Sequence, residues 1–141
     1  MPVFDDELTT PARPVAVWKV LYDPLRFADW WAGVGEVKAG DACGGDADVT
    51  LWPEGYPDFP MPQRISRASS EQRVVVSCTV SDLVFDWYLE PADAGTRIRV
   101  HVEIPEAEAF RETTQRQIVT DSLRRLAKLA EEAKDAPRTP D

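Results

Sequence analysis

Histidine and cysteine are nearly absent from this 141-residue chain, which has one histidine, His101, and two cysteines, Cys43 and Cys78. One imidazole cannot build three-histidine metal ligation. In "TRIRVHVEI" the alternation groups His101 with Arg97, Arg99 and Glu103 on a wet strand face. That removes the usual general base from any interior site and leaves no Ser-His-Asp or Cys-His arrangement. Cys43 stands in a Gly-rich turn, whereas Cys78 shares a face with Val74, Val76 and Val80 and reads as a small buried hydrophobe. Two cysteines so differently placed make neither a disulfide framework nor a zinc site. Also missing are a Gly-rich phosphate loop, a CxxC pair, HExxH, GxSxG and any internal repeat. No cofactor and no metal are expected.

Basic charge is scarce too, with 16 Lys and Arg against 25 Asp and Glu and a formal net charge of −9. That balance disfavours attraction to phosphate backbones and to anionic lipid, so neither a nucleic-acid partner nor membrane insertion is expected. The one local cluster, Arg124, Arg125 and Lys128, reads as a solvated helix face. No apolar run approaches the length of a membrane span, and "MPVFDDELTT" lacks the basic start and apolar stretch of a signal peptide. A reduced, cytoplasmic protein is the expectation. Nothing in the sequence specifies an oligomeric state.

What is present is a clear order of patterns. A chain of this length buries roughly 70% of the surface its unfolded form exposes, enough for one domain without staples. Residues 1–134 are expected to form that domain, and 135–141, "DAPRTPD", a flexible tail. Residues 3–10 have the length of a strand. Pro14 then opens a helix carrying Val17, Val20 and Leu21 and stopped by Pro24, and a second short helix over about 25–31 carries the adjacent Trp30 and Trp31. From Val34 the period becomes two, with strands "VGEVK", "DVTLW", "QRISR", "RVVVSCTV", "LVFDWYLE" and "TRIRVHVEI" separated by turn signals. Six such strands on short turns predict an antiparallel meander. Pro105 opens a long helix over about 106–134, with Glu106, Glu108 and Glu112 at its positive end. Its apolar stripe runs through Val119, Leu123, Leu126, Leu129, Ala130 and Ala133, and traced backward passes through the polar Ser122, Gln115, Arg111 and Glu108.

This order, with "PVAVWKVLYDPLRFADWW", "FDWYLEPADAGTRIRV" and "IVTDSLRRLAKLAEEA", resembles the START/Bet v 1-like superfamily, also called SRPBCC, and within it the polyketide cyclase/dehydrase-like bacterial branch. The resemblance covers essentially the whole chain. It implies an α+β helix-grip fold: a curved antiparallel sheet wrapped around a long C-terminal helix, with an internal cavity. It also implies the ligand classes, namely lipids, isoprenoids or aromatic polyketides. One fold hosts many activities, so the fold is better specified than the function. Three functions stay open: binding, transport or sequestration of a small apolar ligand; a polyketide cyclase that acts by positioning its substrate; and an interaction domain of the Hsp90-ATPase-activator type.

Candidate ligand contacts follow from the expected cavity. Trp30 is expected to anchor the core while Trp31 borders the cavity mouth, because neighbours on a helix point about 100° apart. "LWPEGYPDFPMP" combines four prolines with Trp52, Tyr56, Phe59 and Met61, a composition suited to a semi-rigid flap, a surface staple or a partner contact. Phe85 and Trp87 fall on the inward face of their strand. Arg67 shares a face with Ile65, and if inward it requires an acidic partner or an anionic ligand group. Arg111, Gln115, Val119 and Ser122 are the candidates on the long helix, where the polar ones need water or a ligand opposite them.

Overall fold

The structure, a computed structural model, describes residues 2–135, with side chains to residue 132. The expected tail lies, beyond Asp135, outside the described residues, as does the side chain of Ala133. Strand β1 (Val3–Thr10) leads into helix α1 (Pro14–Leu21), a 3-10 turn (Pro24–Arg26) and the four-residue helix α2 (Phe27–Trp30). Then come β2 (Val34–Ala39), β3 (Val49–Pro53), β4 (Met61–Ala68), β5 (Arg73–Cys78), β6 (Val84–Ala92) and β7 (Gly95–Glu103). A 3-10 segment (Glu106–Arg111) precedes helix α3 (Glu112–Asp135). The seven strands form one antiparallel sheet in the order β1-β7-β6-β5-β4-β3-β2. This is the α+β helix-grip architecture.

The short helices form where local chemistry permits. Pro14 occupies the first turn of α1, where its missing N–H costs nothing, and Lys19 lies in the last turn, facing the negative end. The Asp23 carboxylate accepts a hydrogen bond from the Leu25 amide at 3.0 Å and starts the next turn.

Strand register sorts side chains into rows across the sheet. Phe4 lies opposite Val102, Val102 opposite Phe85, Phe85 opposite Val76, and Val76 opposite Ile65. This row is apolar throughout. The neighbouring row contains Val100, Trp87 and Val74 and ends at Arg67. Both face α3 and α1 and share a hydrophobic cluster with Val119, Leu126 and Ala130 of α3. On the other face, His101 pairs with Asp5 and Asp86, and its ring nitrogens lie 2.9 Å from an Asp5 oxygen and 3.3 Å from a Glu103 oxygen.

Two details depart from the sequence reading. The last helix is not continuous from residue 106, because residues 106–111 form a 3-10 segment in which Glu108 leaves helical geometry (φ −113°, ψ 16°) and α3 starts only at Glu112. The expected fifth strand ends at Cys78, the last residue paired on β5, and Val80 is 71% exposed.

The turn between β6 and β7 shows why its glycine is there. A Cβ on Gly95 would lie 2.0 Å from the Thr10 carbonyl oxygen and 2.8 Å from Pro11 Cα. The close approach lets Thr96 Oγ1 donate to the Ala12 carbonyl at 2.8 Å, while the Ala12 amide donates to Thr10 Oγ1 at 3.2 Å. These bonds turn the chain from β1 into α1. Backbone cannot yield as a flexible side chain can, so Gly95→Ala is expected to cost about 3 kcal/mol, at the upper end for overpacking. Gly40, at φ 82° with open space around it, meets only the backbone penalty, and Gly40→Ala is expected to cost about 1 kcal/mol. Urea melts of the two variants check the difference.

Candidate functional site

The helix covers only part of the concave face. Val119, Leu123, Leu126, Ala127 and Ala130 are fully or almost fully buried, whereas Gln115 and Ile118, nearer the start of α3, are only partly covered. Between that end of α3 and the sheet lies a cavity of about 560 Å³. Its walls are largely apolar: Trp31, Leu51, Met61, Leu83, Phe85 and Ile118 line it. Tyr56, Phe59 and Val80 line it too, and their exposures of 67%, 60% and 71% place them at its mouth.

The inner wall is aromatic. Trp31 packs edge-on against Phe85 at 4.8 Å and against Trp87 at 5.2 Å between ring centroids. It also stacks on Trp30 at 5.5 Å with the planes 19° apart. Trp30 and Trp87 are fully buried and meet edge-on at 5.0 Å, with Trp31 and Phe85 on the cavity side. Trp31 is thus an inner wall and not a rim, being only 4% exposed. The 100° divergence expected of neighbouring helical residues does not apply, because α2 ends at Trp30 and Trp31 is extended (φ −77°, ψ 110°).

The polar groups gather at the start of the last helix and on β4. Ser81 donates a hydrogen bond to the Glu108 carboxylate, whose other oxygen lies 3.2 Å from Arg111 Nη1. The departure of Glu108 from helical geometry accompanies this contact with the β5–β6 connection. Gln115 lines the cavity, and its Oε1 is buried with no hydrogen-bond partner among the described residues. Gln63, 5% exposed, comes from β4 and donates its Nε2 to the Met61 carbonyl at 3.2 Å. Glu108 is the one carboxylate of the Glu108–Glu112 region that reaches the cavity, since Glu112 turns instead to Arg116 at 2.8 Å.

Seven of the twelve residues expected at the ligand line the cavity: Trp31, Tyr56, Phe59, Met61, Phe85, Arg111 and Gln115. The remaining five do not. Trp52 alternates out of phase with Leu51 and lies under Lys38, whose Nζ is 5.7 Å from the ring centroid. Arg67 does share the face of Ile65, Gln63 and Met61, but four residues beyond Gln63 it stands about 13 Å further along the strand. There it is exposed, donating to the Tyr22 carbonyl at 3.1 Å with its guanidinium 5.9 Å from the Tyr22 ring centroid. It therefore needs no anionic ligand. Trp87 and Val119 are sealed in the core, at 0% exposure.

Ser122 is a staple. Its Oγ accepts from the Ala32 amide at 2.9 Å and donates to the Ile118 carbonyl at 2.6 Å, fastening the segment after Trp31 to α3. Cys78 is half-buried and lines the cavity, because β5 ends there before the sheet is covered. Gln63 and Ser81 are site residues that the sequence reading missed. The period of β4 assigns Gln63 to the face of Ile65, so that signal was present; Ser81 lies in a turn whose geometry no local pattern specifies.

A helix-grip domain with a largely apolar cavity is the class these features define. The chain belongs to the family described as polyketide cyclase/dehydrase and lipid transport, whose model matches residues 1–131. A search of curated proteins finds no match. Among solved structures, the Zhui aromatase/cyclase of a Streptomyces species superposes with a TM-score of 0.76 at 16% identity, covering 96% of each chain. A Nitrosomonas europaea protein gives 0.72 at 14% identity, covering 94% of this chain and 96% of its own. The di-domain ARO/CYC BexL of the BE-7585A biosynthetic pathway gives 0.69 at 14% identity, covering 93% of this chain and 47% of its own. At such identities the likeness establishes the fold alone. Among the described residues, no helix is long and apolar enough to cross a membrane.

The geometry makes both adjacent tryptophans structural. Trp30→Ala and Trp31→Ala are each expected to cost about 3 to 5 kcal/mol, the range for deleting a packed aromatic. Urea denaturation followed by circular dichroism checks this, and a markedly smaller cost at Trp31 would contradict the inner-wall placement.

Proposed function

We propose that the protein binds a small, largely apolar molecule in this cavity and carries or sequesters it. The observation that carries the reading is the uncovered half of the helix–sheet layer: an apolar cavity of about 560 Å³, walled by Trp31 and Phe85 and open past Tyr56 and Phe59. Volumes of about 300 to 1,000 Å³ with mostly apolar walls and a few polar groups suit small-molecule ligands. The loop over residues 54–60 supports a flap role, because its two aromatics are exposed at the mouth and Pro57 and Pro60 restrict its backbone.

A second reading, polyketide cyclisation, has one specific support. Glu108 places a carboxylate beside an apolar cavity, hydrogen-bonded to Ser81 and paired with Arg111, in a fold shared with proteins named aromatase/cyclase. In that reading the cavity folds the chain and Glu108 handles a proton.

Native mass spectrometry of the purified protein tests for a retained molecule, and titration with the neutral fluorescent probe N-phenyl-1-naphthylamine tests the cavity itself. The probe is expected to bind to the wild-type protein. A Tyr56→Ser/Phe59→Ser double variant is expected to bind it several-fold more weakly, while its stability changes by no more than about 0.5 kcal/mol per site, as for other surface positions. Failure of the wild-type protein to bind the probe would contradict the binding reading. For the cyclase reading, Glu108→Gln is expected to abolish turnover of a poly-β-ketone substrate while leaving probe binding intact.

A further inference from the structure

Gln63 differs from the other polar groups of the cavity in being both buried and half-used. At 5% exposure it is one of very few polar side chains in the interior. Its Nε2 donates to the Met61 carbonyl at 3.2 Å, which settles the orientation of the amide, since the reverse would set two oxygens against each other. Oε1 is therefore the atom left over, and it accepts no hydrogen bond from any described residue. A carboxamide oxygen in an apolar wall costs about 1 to 3 kcal/mol if nothing donates to it. Gln115, contributed to the same cavity by α3, also has an Oε1 without a donor. The cavity thus presents two spare acceptors.

Its one cation is already spoken for. Arg111 Nη1 lies 3.2 Å from Glu108, and Glu108 itself faces the cavity. An entering carboxylate would meet the negative charge of Glu108 before gaining an unpaired guanidinium, and the chain as a whole carries −9. Among the described residues no unpaired cation lines the cavity to offset an anion's charge, whereas Gln63 Oε1 stands ready to accept from a hydroxyl.

Resting on the reading of the cavity as a ligand site, we infer that its ligands are neutral and hydroxylated, and that Gln63 Oε1 selects them by accepting a hydrogen bond from a ligand O–H. An apolar body with a phenolic or alcoholic hydroxyl fits. A fatty-acid-like carboxylate does not.

The test uses three naphthalenes of similar size, titrated calorimetrically at neutral pH into the full chain: 2-naphthol, 2-methoxynaphthalene and 2-naphthoate. The ether keeps the oxygen and loses the donor. 2-Naphthol is expected to bind about tenfold more tightly than the ether, the worth of one buried hydrogen bond, and 2-naphthoate most weakly. Gln63→Leu is expected to lower naphthol affinity to that of the ether and to leave ether affinity unchanged.

Equal binding of naphthol and ether by the wild-type protein, or tightest binding of naphthoate, would overturn the inference while leaving the cavity as a binding site. A naphthol preference that survives Gln63→Leu would pass the role to Gln115 and overturn the assignment to Gln63. If no compound binds, the ether included, the ligand-site reading itself fails and the selection by Gln63 with it. Should Gln63→Leu not fold, the near-isosteric Gln63→Met replaces it, and the wild-type comparison of naphthol with ether needs no variant.

Discussion

The packing of Trp31 between Phe85 and Trp87 divides this small domain into a sealed half and an open half. Behind it, Trp30, Trp87, Val74, Val100, Leu126 and Ala130 make a core in which every side chain is fully buried. In front of it lies the cavity. The partition tolerates imperfect polar satisfaction, since the indole N–H groups of Trp30 and Trp87 have no hydrogen-bond partner among the described residues. Each unpaired N–H costs about 1 to 3 kcal/mol. Burying roughly 200 Å² of indole contributes about 5 kcal/mol at 25 cal/mol/Å², and edge-on aromatic pairing adds about 0.5 to 1.5 kcal/mol, so the aromatic packing prevails.

The cavity exists because α3 changes character along one face. Its C-terminal part presents Val119, Leu123, Leu126 and Ala130 to the sheet and closes on it. Its beginning presents Gln115, and the 3-10 segment before it presents Arg111 and Glu108. The paired charges of Arg111 and Glu108 and the polar amide of Gln115 cannot be pressed against Phe85 and Leu83 without being desolvated, so the layers stay apart there. Ser122 stands at the changeover, and its two hydrogen bonds hold the Trp31–Ala32 segment on α3 at the place where the gap begins. Gap and staple thus come from a stretch of chain only a few turns long, while the wall is supplied by Trp31 and by Phe85 of β6.

Much of this was legible from periodicity. The alternation of Ile98, Val100, Val102 and Ile104 fixes the inward face of β7, and the run from Leu126 back through Ser122 and Gln115 to Glu108 marks the change from apolar to polar on the helix. Both are local rules read off consecutive residues. What escaped was set by where an element stops or by contacts remote in sequence. Trp31 becomes an inner wall because α2 stops one residue earlier, so the helical angle between neighbours was the wrong ruler for it. Arg67 faces as Ile65 does, yet its distance along the strand carries it beyond the cavity to Tyr22, a contact 45 residues away in the chain. Ser122 was read as a polar residue in need of a ligand, and its partner is the Ala32 amide, 90 residues distant. Alternation gives the side of a sheet; it does not give position along it.

The central claim is that the uncovered half of the helix–sheet layer, and no other surface, receives an apolar molecule. Methyl-resolved NMR during titration with a neutral naphthalene tests it most directly, because reporters stand on both sides of the aromatic partition. Resonances of Leu51, Met61, Leu83 and Ile118, which line the cavity, are expected to shift saturably, while those of Ile98 and Leu126 in the sealed core stay in place. Shifts confined to Val3 or Val15, which lie exposed away from the cavity, or no saturable shift at the four lining residues, would contradict the account.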